Sequence, residues 1–174
     1  MANDLRLGMI GLASTHSVEF TRRFQSQDCP LIQRVSGARV TRCMRFETPF
    51  QGPAGLDERQ AQLERLDVLV TDDFEPAISD IAALMILIND PTLHLPYLQR
   101  CSELSVPIFI DKPLAENIDS AKKIYSIINK YGLRICSTSS LRFAPELQQA
   151  CEAIPIPQHV NVHGILSRAS AGSS

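Results

Sequence analysis

Residues 107–119, Pro-Ile-Phe-Ile-Asp-Lys-Pro-Leu-Ala-Glu-Asn-Ile-Asp, decide how the rest of the chain is read. The apolar run at 106–110 has the length and content of a strand buried in a parallel sheet. It delivers Asp111 and Lys112 to its carboxyl end, just before Pro113. Proline adds no donor to a hydrogen-bond ladder and pushes the preceding residue out of the α region. Lys112 is therefore expected to be extended at the strand's end. In an open α/β sheet that edge is where ligands bind. Strand–Lys-Pro–helix is also an ordinary surface turn, so the tripeptide alone does not choose between chemistry and architecture.

Working outward, the clearest helix follows at once. Ile118, Ala121, Ile124, Ile127, Ile128 and Tyr131 recur at three- and four-residue intervals, and Gly132 stands as the C-terminal stop. A strand is expected at 133–137, a helix at 146–153 and a weakly alternating strand at 158–166, with a small, polar tail at 167–174. Before residue 106, strands are expected at 5–12, 38–46, 67–71 and 81–88. The last of these is apolar throughout, as in a central strand covered on both faces. Helices are expected at 17–25, at 57–66 with Asp57 as cap, at 74–80, and at 92–104 after the break Asn89-Asp90-Pro91. Residues 48–55 carry two prolines and two glycines and read as a loop. Strands and helices alternating this regularly imply right-handed crossovers and a doubly wound parallel α/β sheet.

The 174 residues suffice for one well-buried domain with little left over. With 44% apolar residues, 21% charged residues and a net charge of −2, the chain has no basic excess for nucleic acid or an anionic membrane surface. Its longest apolar run, at 81–88, is too short to span a bilayer, and the amino terminus lacks a secretory hydrophobic segment. Cys29, Cys43, Cys101, Cys136 and Cys151 are odd in number and scattered, without a C-x-x-C pair. They read as reduced, mostly packed thiols of a cytoplasmic protein, with no metal role expected.

The first strand runs into Gly11-Leu12-Ala13-Ser14-Thr15-His16. A dinucleotide-binding turn uses glycines for the tight bend, for close diphosphate approach and for helix–strand packing. Here the three positions are Gly11, Ala13 and His16, so only the first glycine is kept. Ser14, Thr15 and the first amides of the next helix are suitable phosphate donors. Taken alone, the turn reads as a helix cap.

Four segments together say more: 10–17 (Ile-Gly-Leu-Ala-Ser-Thr-His-Ser), 89–95 (Asn-Asp-Pro-Thr-Leu-His-Leu), 110–115 (Ile-Asp-Lys-Pro-Leu-Ala) and 139–145 (Ser-Ser-Leu-Arg-Phe-Ala-Pro). In order and spacing they resemble the Gfo/Idh/MocA family of NAD(P)-dependent oxidoreductases. The resemblance covers about residues 4–150. It implies a Rossmann-type domain at 1–153 that binds NAD or NADP. Residues 154–174 would be the start of a truncated C-terminal substrate domain, or a tail.

The resemblance also implies roles. Lys112 is matched to the family lysine near nicotinamide and substrate, which orients the reacting oxygen and assists proton transfer. An ammonium beside a developing alkoxide stabilises it. Gly11, Ala13, Ser14, Thr15 and His16 are matched to the diphosphate turn. Asn89, Pro91 and His94 are matched to the loop beside the cofactor, Asp111 to the residue before the lysine, and Arg142 to the substrate side. On residues alone, His94 and His16 are equally packed or capping histidines, and Arg142 is equally a surface ion-pair partner. Near the second strand's end, Arg42, Arg45 and Glu47 leave NAD against NADP open, since an acid would accept ribose hydroxyls and an arginine would hold a 2′-phosphate.

The expected function is the nucleotide-binding part of an oxidoreductase acting on a sugar-like or cyclitol CH–OH group. The alternative is a non-catalytic dinucleotide-binding regulatory module or an inactive shortened relative. A small-molecule substrate and a homo-oligomer, both formed through the further domain, are expected of the full-length form.

Overall fold

Period-two alternation on short strands sets up two apolar layers, and the structure, a computed structural model describing residues 4–154, stacks helices on both. The chain divides into two compact units, Met1–Ser139 and Ser140–Ser174. In the first, strands β1 (Leu5–Ile10), β2 (Ala38–Met44), β3 (Leu69–Thr71), β4 (Ala83–Ile86), β5 (Ile108–Ile110) and β6 (Ile135–Cys136) form one sheet in the order β3-β2-β1-β4-β5-β6. Every pairing is parallel. This is the doubly wound order of dinucleotide-binding folds, with the direction of winding reversing between β1 and β4.

Helices α1 (Thr15–Gln25), α2 (Pro53–Glu64), α3 (Phe74–Ile78), α4 (His94–Arg100) and α5 (Ile118–Tyr131) supply the crossovers. Leu7, Met9, Val40, Cys43, Met85 and Leu87 point to the face where Val18 of α1 and Leu56 and Leu63 of α2 pack. Ile10, Met44, Leu84, Ile86, Ile108 and Ile110 point to the opposite face, against Phe74, Leu98 and Ile124 of α3, α4 and α5. Each such fully buried aliphatic side chain contributes about 1.5–3 kcal/mol of transfer free energy. The register puts Met44, Ile10, Ile86 and Ile110 level with one another, so four strands end on one line and their following loops share one edge.

Several boundaries differ from expectation. The second helix starts at Pro53 behind Gly52, four residues before Asp57, because proline at the first helical position is already set at the helical φ. Asp57 lies inside the helix and pairs with Arg45 instead of capping. The strands are shorter than their apolar runs. Leu87 and Ile88 are buried but lie beyond the end of β4, in the loop at the shared edge. Residues 91–93 form a 3-10 turn, and α4 stops at Arg100. The second unit, described on its own, has a 3-10 turn at Ser140–Phe143 and helix α6 at Pro145–Ala153. The strand expected at 158–166 and the tail at 167–174 lie outside the described residues. Among the described residues, no helix is long and apolar enough to cross a membrane.

Candidate functional site

The site is the line of loops at the strands' carboxyl ends. Gly11 leaves β1 with φ +103°, and a Cβ there would meet the Leu87 carbonyl oxygen at 2.8 Å. The loop after β1 therefore crosses the loop after β4 at a distance that only glycine allows. Ser14 then caps α1 in an extended conformation, its hydroxyl accepting from the His16 backbone N–H at 3.2 Å. The first turn of α1 holds no acidic residue. Its leading N–H groups have no intrahelical acceptor and carry the positive end of the helix dipole. Ala13 and Ser14 are buried and Thr15 is exposed.

At the other end of the same edge, β5 delivers Asp111, Lys112 and Pro113. Asp111 is 3% exposed. One of its carboxylate oxygens accepts the Lys112 backbone N–H at 2.8 Å, and the other lies 2.7 Å from Nδ1 of His16. This contact joins residues 95 positions apart and spans the end of β4. Lys112 is exposed, and its ammonium has no protein partner among the described residues. The Lys112–Pro113 peptide bond is cis.

Between these two ends lies the loop after β4. Asn89 accepts from the Thr48 hydroxyl at 3.1 Å, and Asp90 caps the turn that starts at Pro91. His94 is fully buried, with Nε2 at 2.9 Å from the Ile88 carbonyl oxygen and Nδ1 at 3.2 Å from that of Leu114. A neutral ring donates to one of the two. His94 thus braces the loop after β4 against the segment after β5, and its ring is spent on backbone. Arg142 belongs to the second unit, where it is exposed on the 3-10 turn.

Two features escaped the sequence reading. Arg59 of α2 donates to the carbonyl oxygens of Leu12 and Ala13, holding the Gly11 turn from its far side. Nothing in the local pattern around Arg59 marks it, since the contact depends on α2 packing beneath the turn. The His16–Asp111 pair has no local signal either. Near the end of β2, Arg42 is turned to the Pro76 carbonyl, while Arg45 is held by Asp57 and Gln60, each at 2.6 Å. Glu47 is exposed.

A nicotinamide dinucleotide fits these residues. The Gly11 bend and the acid-free first turn of α1 suit a diphosphate, and the crevice lies where the winding reverses. The burial of Cys43 and Cys101 pushes both thiols up to about 12, so neither is a nucleophile.

Residues 5–139 match the family described as "Oxidoreductase family, NAD-binding Rossmann fold". An inositol 2-dehydrogenase from Rubrobacter xylanophilus is 27% identical over 141 residues, covering 80% of this chain and 35% of that protein. Among solved structures, scyllo-inositol dehydrogenase from Lactobacillus casei, with NAD(H) and scyllo-inositol bound, superposes with a TM-score of 0.64 at 18% identity, over 88% of this chain and 41% of its own. A 3-ketoreductase from Actinomadura kijaniata, in complex with NADP and TDP-benzene, gives 0.62 at 16% identity, over 88% and 42%. The chain therefore spans well under half the length of these relatives. With the match running from β1 to the end of the first unit, and with the Gly11 turn and Lys112 on one sheet edge, the chain belongs to the Gfo/Idh/MocA oxidoreductase family and comprises its NAD-binding Rossmann domain.

Proposed function

We propose that the chain is the dinucleotide-binding part of an NAD(P)-dependent oxidoreductase acting on a CH–OH group of a sugar-like or cyclitol substrate. The observation that carries this reading is the 2.7 Å contact between His16 and Asp111, which brings the turn suited to a diphosphate and the segment bearing Lys112 to one crevice. The dinucleotide would supply or accept the hydride. The chain's residues do the rest. The α1 turn (Gly11, Ala13, Ser14, Thr15, His16) holds the diphosphate, and Asn89 and Pro91 shape the loop beside it. The Lys112 ammonium orients the substrate oxygen and holds or returns its proton. The cyclitol choice leans on the inositol dehydrogenase relative. Arg142 and the residues from 154 onward would lead into a substrate-binding domain, which would also support a homo-oligomer of the full-length cytoplasmic enzyme.

Titration of the 174-residue chain with NADH and with NADPH, followed by nicotinamide fluorescence, tests the reading. Binding of either at millimolar concentration or tighter is expected, with no useful turnover of inositols or sugars by this chain alone. Substrate positioning can supply about 7–11 kcal/mol of a barrier, and here that would come largely from the further domain. Absence of binding for both dinucleotides would overturn the proposal.

A further inference from the structure

The first residue past β2 is an arginine, at the edge that β2 shares with the Gly11 turn. In doubly wound dinucleotide-binding folds the adenosine ribose lies near the carboxyl end of the second strand. A carboxylate there accepts its hydroxyls, whereas an arginine accommodates a 2′-phosphate. The register fixes that position here. Met44 ends β2 level with Ile10, and its carbonyl oxygen accepts the Gly11 backbone N–H at 3.0 Å. Arg45 is therefore one residue from the strand that the diphosphate turn leans on. Its side chain is held on the α2 side of the edge. Nη1 donates to the Gln60 side-chain oxygen and Nη2 to Oδ1 of Asp57, both at 2.6 Å. Arg59 lies between those residues in α2 and reaches the Leu12 and Ala13 carbonyls. One turn of α2 thus anchors the Arg45 guanidinium and braces the Gly11 bend.

No carboxylate occupies this position. β2 holds no acid from Ala38 to Met44, and Asp57 is engaged by Arg45 itself. Glu47 lies two residues on, past Phe46, whose ring stacks on Tyr97 of α4 with centroids 5.2 Å apart. From there the chain leaves β2 for the loop after β4, where the Thr48 hydroxyl meets Asn89 at 3.1 Å. Asp72 and Asp73 follow β3 and lead into α3, which packs on the opposite face of the sheet from α2. The Arg45 side chain is 21% exposed, so it is fixed in place and still open to a ligand. Its planar fork keeps further N–H donors beyond the two contacts to Asp57 and Gln60.

Resting on the dinucleotide reading above, we infer that the crevice selects NADP(H) over NAD(H), with Arg45 holding the 2′-phosphate. Asp57 and Gln60 are then positioning residues. They fix the fork at the strand's end before a ligand arrives, so less side-chain freedom is lost on binding. A phosphate on the ribose takes charge-assisted hydrogen bonds from the remaining donors. A bare 2′-hydroxyl in the same place meets a cation instead of an acceptor.

Equilibrium titrations of the 174-residue chain with NADPH and with NADH in one buffer give the ratio of the two affinities. NADPH is expected to bind at least about tenfold tighter, the scale of one hydrogen bond to a charged group. Arg45→Gln should remove most of that preference. Displacement of bound NADPH then tests where the charge is read. Adenosine 2′,5′-bisphosphate should compete far better than the 3′,5′-isomer, which carries the same groups on the neighbouring hydroxyl. NADH binding as tightly as NADPH or tighter, or equal displacement by the two isomers, would overturn the inference and leave the dinucleotide reading standing. A preference for NADPH that persists in full in Arg45→Gln would overturn it as well, since another residue would then hold the phosphate. If that variant fails to fold, the native chain's affinity ratio and the two bisphosphates still decide. Failure of NADH and NADPH to bind at all would overturn both readings.

Discussion

At the scale of single residues, the site divides into groups that shape the backbone and groups left free for a ligand. Gly11 and His94 are of the first kind. One gives the close crossing over Leu87, and the other ties Ile88 to Leu114. Lys112 is of the second kind: its amide is fixed by Asp111 while its ammonium stays exposed. The diphosphate turn follows β1 and the lysine follows β5, so their losses should separate. In a full-length protein carrying this segment, Lys112→Ala is expected to leave dinucleotide affinity within about a few-fold and lower kcat by roughly 10²–10⁴, the scale of a lost proton-transfer group. Stopped-flow reduction of the nicotinamide beside equilibrium binding measures both. A fall in affinity with kcat unchanged would make Lys112 a phosphate contact instead.

At the scale of elements, what was legible in the sequence followed the length of each pattern. Helix α5 holds its apolar stripe over four turns and was read to its last residue, with Gly132 at φ +63° closing it. Short strands gave less, since a buried apolar run does not say where its ladder stops. Residues 81–88 are apolar throughout, yet only Ala83–Ile86 pair as β4. The start of α2 is hidden because Asp57 has the side chain of a cap, while Pro53 sits among prolines and glycines that read as a loop. In the site, Gly11 and Lys112 were visible because their neighbours in sequence define them. The His16–Asp111 and Arg59–turn contacts were not, because only the strand order brings those residues together. The local signals carry measurable energy. Asn117 caps α5 by accepting the Ser120 amide at 2.9 Å. Asn117→Ala should cost about 1 kcal/mol, read as a lower urea midpoint with unchanged slope.

At the scale of the whole molecule, helices lie on both faces of the sheet, and two thiols are sealed between sheet and helices. Cys43 lies on the α1–α2 face and Cys101 on the α3–α5 face. Burial alone raises Cys43 to about 12. Cys101 reaches about 12 chiefly by burial, with Arg100 opposing and Glu75 adding to it. In the unfolded chain both return to their ordinary value of 9.0. Between those values the folded chain binds more protons than the unfolded one, so stability falls as pH rises. The stabilisation from keeping both thiols neutral is complete below pH 9 and lost progressively towards pH 12. Each thiol contributes a slope of about 1.4 kcal/mol per pH unit in that window. Urea midpoints are therefore expected to be level from pH 7 to 8.5 and to drop steeply by pH 10.5, and Cys43→Ala and Cys101→Ala should each flatten the drop while lowering the plateau. An alkaline profile unchanged in both variants would mean that water reaches these two thiols in the folded chain.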